Sequence, residues 1–483
     1  MQDSYSKISI QERCKSHWAV ILIAILTPLL LMAVWPILPT HDDWMSTTSP
    51  DFRPFFIKEH FLFYGYHWRP FDTWIGCLAG RNPQLFFPAL HHTLVVLGHL
   101  LCALAVFRLL GVLGFNRTAQ NLTTLFFFIL PATMATVTAV DSQNQVYALL
   151  TDLMAFFVYL KGGKHKYIAW PLLIFLAALC KENGLMWALI CPILAFGFNF
   201  TDQKTLRKDL LIGIGIMTFY ALAIAIQPKD IIIHPEYEPG MLKVVKNMVK
   251  FLFTSFITVD YIYLLHQPSR NLLLAIVSLL ISLPFFYMVF IRHWRLFLSK
   301  KMACTMLCLL IAVGPHLLTV FSMMHTYAGL ALVAIMTAYS IDAYGEKAKA
   351  ATIPFVIFLI AALAIDTHLT HAAIKSGLTG KKMAQEAIQK TGQPVGNVYI
   401  VIIEDDYPKL SSFCVIPNEA FGWGAAARYE TNYRWPKVLQ DTTIVRTPDA
   451  ITDAKQLSSE IISNRQADCA WIVDHQDVYV VKK

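Results

Sequence analysis

The chain has 483 residues, 56% of them hydrophobic and 15% charged, with a formal net charge of +8 and a mean hydropathy of +0.50. So much apolar sequence excludes an ordinary soluble domain, whose surface must be largely polar. The basic excess sits mostly in short loops between apolar runs, where it reports orientation in a membrane rather than nucleic-acid binding.

Residues 1–17 are polar and carry Lys7, Arg13 and Lys15 ahead of an apolar run from His17 to Leu38. That run is too long for a signal-peptide core and lacks a small-x-small cleavage site, so it is predicted to stay as an uncleaved first span. The basic flank predicts a cytoplasmic N-terminus and places the loop 38–85 outside. Further spans are predicted at about 86–110, 120–140 and 146–160, with Asp141 to Gln145 as an external turn. The stretch 168–198 has basic residues on both flanks (Lys164 and Lys166; Lys204, Arg207 and Lys208), so it must cross an even number of times. Two short spans meeting at Lys181-Glu182-Asn183-Gly184 satisfy that rule. They bring an ionisable pair to the same face as the first loop.

Another span is predicted at about 209–227, followed by an external loop from Pro228 to Lys250. Residues 251–266 are apolar but short. A full crossing there would put Arg292, Arg295, Lys300 and Lys301 outside, so a re-entrant or interfacial segment is expected. Spans at about 271–291, 302–321, 328–343 and 351–366 complete a set of about eleven, with the C-terminus outside. Beyond 366 the composition changes. Val398–Ile403 and Asp477–Val481 read as strands and Ala454–Asn464 as an amphipathic helix. The expected architecture is a polytopic α-helical membrane domain over residues 1–366 and a small α/β domain on the outer face over residues 367–483.

The nine cysteines lack metal-binding spacing, and most lie in apolar runs as small hydrophobes. Cys414 and Cys469 fall in the polar C-terminal region, where an oxidising compartment could pair them. No GxGxxG, Walker, HExxH or GxSxG element stands in a fitting context, which argues against an ATP-driven pump or a serine or zinc protease. The acidic residues Asp42, Asp43, Asp141 and Glu182 cluster at predicted span ends on one face.

Adjacent carboxylates diverge on either a helix or a strand. One of Asp42 and Asp43 can therefore act as a general base while the other orients a neighbour. Glycosyl transfer to a hydroxyl needs such a base, opposite the leaving group. A lipid-phosphate leaving group also needs cations, for which Arg69 and Lys181 are the candidates. His67, His91 and His325 are weaker candidates, since a single histidine is more often a satisfied structural one. Asp141 and Glu182 read as supporting groups or as a turn residue and an ion pair at a helix break. Trp44, Trp68 and Trp74 either stack on a sugar or anchor the interface. The sequons at Asn116, Asn121 and Asn199 fall at predicted cytoplasmic loops or span ends and are discounted as glycosylation sites.

Taken in order, these motifs resemble the GT-C superfamily of polytopic glycosyltransferases. The resemblance is to the protein O-mannosyltransferases and the tetratricopeptide-type transmembrane mannosyltransferases. It is carried by Asp42-Asp43, Trp68-Arg69-Pro70, His91-His92, His99, Pro131, Cys180-Lys181-Glu182-Asn183-Gly184 and His325-Thr326-Tyr327-Ala328-Gly329, over about residues 30–340. It implies an inverting transferase that takes a sugar from a polyprenyl-phosphate donor to an acceptor hydroxyl at the outer, periplasmic face of a bacterial inner membrane. Asp42 would be the base and Asp43 its alternate. Arg69, Lys181, His67, His325 and Tyr327 would handle the donor phosphate and lipid, with Asp141, Glu182, His91 and Trp68 supporting. No metal or other cofactor is expected. The chain departs from the family by lacking tetratricopeptide repeats and a β-trefoil insertion, which leaves glycan, lipid and protein all open as acceptors. The rival reading is a transporter or flippase of a lipid-linked sugar, which would need polar groups near mid-membrane. A membrane scaffold displaying the C-terminal domain is the third.

Overall fold

The computed structural model describes residues 17–39, 69–71, 89–225, 239–258, 268–319, 321–345, 348–403, 430, 440–445, 447–464, 466–474 and 477–482. Thr40 to Trp68, Trp74, Cys414 and their neighbours therefore lie outside the described residues, and with them Asp42, Asp43, His67 and Trp68.

The chain begins with α1 (Trp18–Val34) and continues through α2 (Ala89–Val112) to α3 (Arg117–Ile129) and α4 (Pro131–Val137). The span expected at 120–140 is thus broken. Proline cannot continue the hydrogen-bond ladder but suits a first helical position, and α3 and α4 meet at Leu130-Pro131 with a 50° bend. Next come α5 (Gln143–Lys161) and α6 (Lys166–Cys180), a 3₁₀ turn at Glu182–Met186, and α7 (Trp187–Gly197). The helix break thus falls at the expected Lys181–Gly184, between two short apolar helices.

Helix α8 (Gln203–Ala225) follows, then α9 (Met241–Phe256), where the sequence led us to expect a loop up to Lys250. Its buried side chains Asn247, Phe251 and Thr254 recur at helical spacing, whereas Lys243, Lys246 and Lys250 share another stripe. The strongly exposed Leu242, Val245 and Val249 leave much of the remaining surface apolar. That is the pattern of a helix lying in a membrane interface. Helices α10 (Pro268–Phe286), α11 (Lys300–Leu318) and α12 (Tyr327–Asp342) occupy three of the expected spans.

Among the described residues five helices are long and apolar enough to cross a membrane, or six if the bent α3–α4 pair is one span. The protein is an integral membrane protein. Helices such as α1 and α6 are apolar but shorter than a bilayer crossing, so the expected total of about eleven mixes full and short segments.

The last membrane helix does not stop near 366. Helix α13 runs unbroken from Ala348 to Thr391, 44 residues, or roughly 66 Å, about twice the hydrocarbon thickness. Its final turns bury Met383, Ala384 and Ala387 against Val398, Ile400 and Trp471 of a four-stranded sheet. The strands β1 (Val398–Ile403), β2 (Gln440–Val445), β3 (Cys469–Asp474) and β4 (Asp477–Lys482) lie in the order β2-β1-β3-β4. The pairs β1–β2 and β1–β3 are parallel, and β3–β4 is antiparallel. Helix α14 (Ala450–Ser463) covers the face formed by Val401, Ile403 and Ile472. Two bonds tie α13 to the sheet: Trp471 Nε1 donates to Thr391 Oγ1 at 3.0 Å, and Lys390 Nζ to the Val478 carbonyl at 2.6 Å. Cys469 is a buried free thiol in β3. Burial, reinforced by the charge of Asp468, pushes its pKa up to about 11, which makes it a poor partner in thiol chemistry.

The three discounted sequons have structural occupations. Asn116 caps α3 by accepting from the Ala119 amide at 2.9 Å. Asn121 is buried and its Oδ1 accepts from the Ala19 amide at 3.2 Å. Asn199 holds a positive φ of 63° and accepts from Lys300 Nζ at 2.9 Å.

Candidate functional site at the Lys181–Gly184 break

Helix α6 ends at Cys180 because Lys181 is extended, with φ −154° and ψ 138°. The chain then turns tightly, the Gly184 amide donating to the Lys181 carbonyl at 2.9 Å. A side chain at 184 would meet the Ala177 backbone at 2.8 Å, so glycine lets the break fold flat onto α6. The result projects Glu182 toward a residue 113 positions earlier. Arg69 Nε lies 2.9 and 3.0 Å from the two Glu182 carboxylate oxygens, and Nη2 lies 2.8 Å from Oε2. This planar two-pronged geometry is what guanidinium and carboxylate favour. The pair is only partly buried, with 18% of the Arg69 and 30% of the Glu182 side chain exposed.

Two histidines complete the cluster. His316, near the end of α11, stacks on His325 with ring centroids 4.0 Å apart and planes 10° from parallel. His325 sits in a 3₁₀ turn (Met323–Thr326) leading into α12, where its Nδ1 accepts from the Ser322 backbone amide at 3.0 Å. A ring nitrogen that accepts an N–H bond carries no proton, so the His325 proton is on Nε2. His316 Nε2 is buried without a hydrogen-bond partner among the described residues. The charges of Lys181 and Arg69 act on both imidazoles, and those of Glu182 and Arg69 on Tyr220. Lys181 itself is only 5% exposed. The break thus joins two cations, one carboxylate and two histidines in a partly open site. Among the described residues no three His, Cys, Asp or Glu side chains gather as a metal ion would require.

The start of the first loop is pinned to the helical bundle. His92 Nε2 is 3.0 Å from the Ile37 carbonyl, and Trp35 Nε1 donates to Thr93 Oγ1 at 3.0 Å. Gly377 of α13 lies so close to Leu38 that a Cβ there would meet its carbonyl oxygen at 2.8 Å. The chain therefore leaves α1 from a fixed point four residues before Asp42, and returns at Arg69 to pair with Glu182.

Other sequence candidates are placed differently. Tyr327 is fully buried, and its hydroxyl meets His99 Nδ1 at 2.9 Å while the His99 ring stacks on Phe127 and Phe128. A hydroxyl held this way joins α2 to α12. His91 is buried within α2. Asp141 lies half-buried in the α4–α5 turn, which is not a solvated loop: Ser142, Gln143, Asn144 and Gln145 are all buried. Sequence reasoning missed His316, Tyr220 and Asp152. The available signal was a polar or ionisable residue within an otherwise apolar helix.

A scan against protein-family models matches none, and a search of curated proteins finds no match. Solved structures do match. The apo structure of ArnT from Cupriavidus metallidurans superposes with a TM-score of 0.55 at 12% identity, covering 95% of this chain and 93% of that one. The apo oligosaccharyltransferase of Archaeoglobus fulgidus gives a TM-score of 0.50 at 15% identity, covering 96% and 70%. The same ArnT, solved bound to undecaprenyl phosphate, gives 0.48 at 12% identity, covering 94% and 92%. Over nearly its whole length, the chain therefore shares its fold with ArnT and with the Archaeoglobus oligosaccharyltransferase.

Proposed function

We propose that the protein is an inverting glycosyltransferase that moves a sugar from a polyprenyl-phosphate donor to an acceptor hydroxyl. The observation that carries this reading is the partly open cluster of Arg69, Lys181, Glu182, His316 and His325 at the helix break. A leaving phosphate needs positive charge in a poorly hydrated place, and the cluster offers two cations there. Glu182 grips one edge of Arg69 and fixes the plane of its guanidinium. His325 turns an N–H outward from its ring, since Nδ1 is occupied.

The base is Asp42, with Asp43 as alternate. It takes the proton of the acceptor hydroxyl, whose oxygen attacks the anomeric carbon from the face opposite the phosphate. The carbon–phosphate oxygen bond breaks, and the electron pair leaves with the lipid phosphate. Inversion follows from that in-line geometry.

Two further features support a lipid donor. An apolar groove of about 440 Å³ lies between α1 and α13, walled by Leu26, Leu29, Leu30, Leu363 and Ile374, and suits part of an aliphatic chain. ArnT, whose fold the chain shares, is itself found with undecaprenyl phosphate. The site is proposed to face the periplasm of a bacterial inner membrane, as the basic loops favour.

The test uses purified protein in lipid, given a total lipid extract rich in polyprenyl-phosphate sugars, with mass spectrometry following sugar loss. Consumption is expected from the unmodified chain, and Asp42→Asn should lower it about 10²–10⁴-fold, the usual contribution of a positioned base. Near-normal turnover by that variant would move the base to Asp43 or elsewhere. A second reading, transport of a lipid-linked sugar, draws on Asp152 in α5 and Asp366 in α13, both buried inside helices. Movement of labelled donor across vesicles with its glycosidic bond intact would favour it.

A further inference from the structure

Behind the break lies a closed chamber that the transfer chemistry does not use. It has room for the centre of about one water molecule, roughly 10 Å³. Asp152 and Gln145 reach it from α5, seven residues and so two helical turns apart on one face. Asn183 and Trp187 wall it from the other side, with Ala312 and Ala328 keeping it open by their small size. Asp152 is 2%, Gln145 1% and Asn183 9% exposed.

Asn183 Nδ2 donates to Gln145 Oε1 at 3.3 Å, which leaves Gln145 Nε2 and Asn183 Oδ1 without partners among the described residues. Asp152 Oδ1 is equally unpartnered. Reversing both amides leaves the same remainder, one oxygen and one N–H. Three orphaned polar atoms are costly in a protein interior. One water, which accepts from the N–H and donates to two oxygens, satisfies all three, matching the usual three bonds of a buried water. A calcium or magnesium ion fits worse, because it wants oxygen ligands only and one of the three atoms is an amide nitrogen.

We propose that this chamber binds a single water molecule, and that Asp152 acts through it as a positioning residue, fixing Asn183 and with it the Glu182–Arg69 pair. Asn183 is the residue next to Glu182, so a bridge from α5 to Asn183 sets the orientation of the whole break. The role is hydrogen bonding, not charge, and the inference rests on the transferase reading only where turnover is measured.

Three readouts on the full chain in lipid test it. Short radiolytic pulses, which generate hydroxyl radicals from water in place, should oxidise Trp187 despite its 2% exposure. Asp152→Leu, which fills the chamber, should abolish that labelling. Amide hydrogen exchange over residues 181–186 should speed up in Asp152→Leu and return to normal in Asp152→Asn. Donor KM should rise about 10–100-fold in the leucine variant, as expected for a displaced binding group, and recover in the asparagine variant. An unlabelled Trp187 in the unmodified chain would make the chamber dry and overturn the proposal. So would an Asp152→Asn variant as impaired as the leucine one, or labelling that depends on sodium, since either outcome makes the site one for charge. If the unmodified chain shows no transfer at all, the labelling and exchange results still decide the chamber, and only the transferase reading falls.

Discussion

Two of the ion pairs among the described residues sit in opposite environments. Arg69–Glu182 joins the first loop to the break after α6, meets both carboxylate oxygens, and stays partly open. Lys166–Asp209 joins the start of α6 to α8, with 9% and 0% of the side chains exposed. There Lys166 Nζ and the Tyr159 hydroxyl both donate to Asp209 Oδ2 at 2.6 Å, and the Lys166 ammonium also stands 3.8 Å from the centre of the Tyr159 ring. The better hydrogen-bond geometry belongs to the open pair. The sealed pair nonetheless matters more to folding, because a buried charge that loses its partner has no water to replace it. Openness suits the reacting phosphate of the proposed function, and closure suits a helix joint.

The largest effect should come from breaking the sealed pair on one side. Lys166→Met should lower unfolding free energy by about 3–5 kcal/mol, the usual penalty for stranding a buried charge. Thermal unfolding in lipid nanodiscs measures it, while turnover per folded molecule stays unchanged. Adding Asp209→Leu should restore most of the lost stability, since an apolar pair of similar volume is often no worse than a buried ion pair. A double variant as unstable as the single would mean that the joint depends on its hydrogen bonds rather than on charge balance.

Next in size is the open pair. Arg69→Ala should cut sugar transfer about 10²-fold or more, the scale for removing one preorganised donor to developing charge. Its unfolding temperature should fall less than that of Lys166→Met, because water can reach the partly open Glu182 carboxylate left behind. A large loss of stability with normal transfer by the surviving protein would reverse the contrast between the two pairs.

How far the sequence disclosed this contrast differs between the two sites. The break at 181–184 was legible because the basic flanks of 168–198 demand an even number of crossings, a rule independent of residue detail. The shared fold with ArnT was legible from the order of short motifs around it. The sealed joint was not: Lys166 reads as one more cytoplasmic lysine and Asp209 as a span edge, and only packing brings them together. Asp152 was overlooked for a related reason, since the acidic residues at span ends drew the reading away from one inside α5. Helix α13 was cut short because its composition turns polar after 366 while its helical continuity does not change. The hydrogen bond of Tyr327 to His99 was equally hidden, since the two residues stand 228 positions apart.

A smaller effect should follow from Gly184→Ala. The added methyl meets the Ala177 backbone at 2.8 Å, and overpacking of this kind costs about 1–3 kcal/mol. Because the strain falls on the turn that carries Glu182, donor KM should rise as well. Unchanged stability and KM would mean that the break can shift without moving the open pair.

The smallest change probes the sealed joint again. Tyr159→Phe removes one of the two donors to Asp209 Oδ2 and leaves the Lys166 contact in place. The ring stays, so its edge-on packing against Trp170 at 5.1 Å and its face toward Lys166 are kept. Only the hydroxyl bond is lost, about 1.5 kcal/mol, the low end for a bond to a charged acceptor, because Lys166 still donates to the same oxygen. If the Tyr159 bond and the Lys166 charge support Asp209 together, adding Tyr159→Phe to Lys166→Met should destabilise by more than the sum of the two single changes, since the carboxylate would then have neither donor. Simple additivity would mean that the lysine alone compensates the buried charge, and that the tyrosine serves mainly as packing.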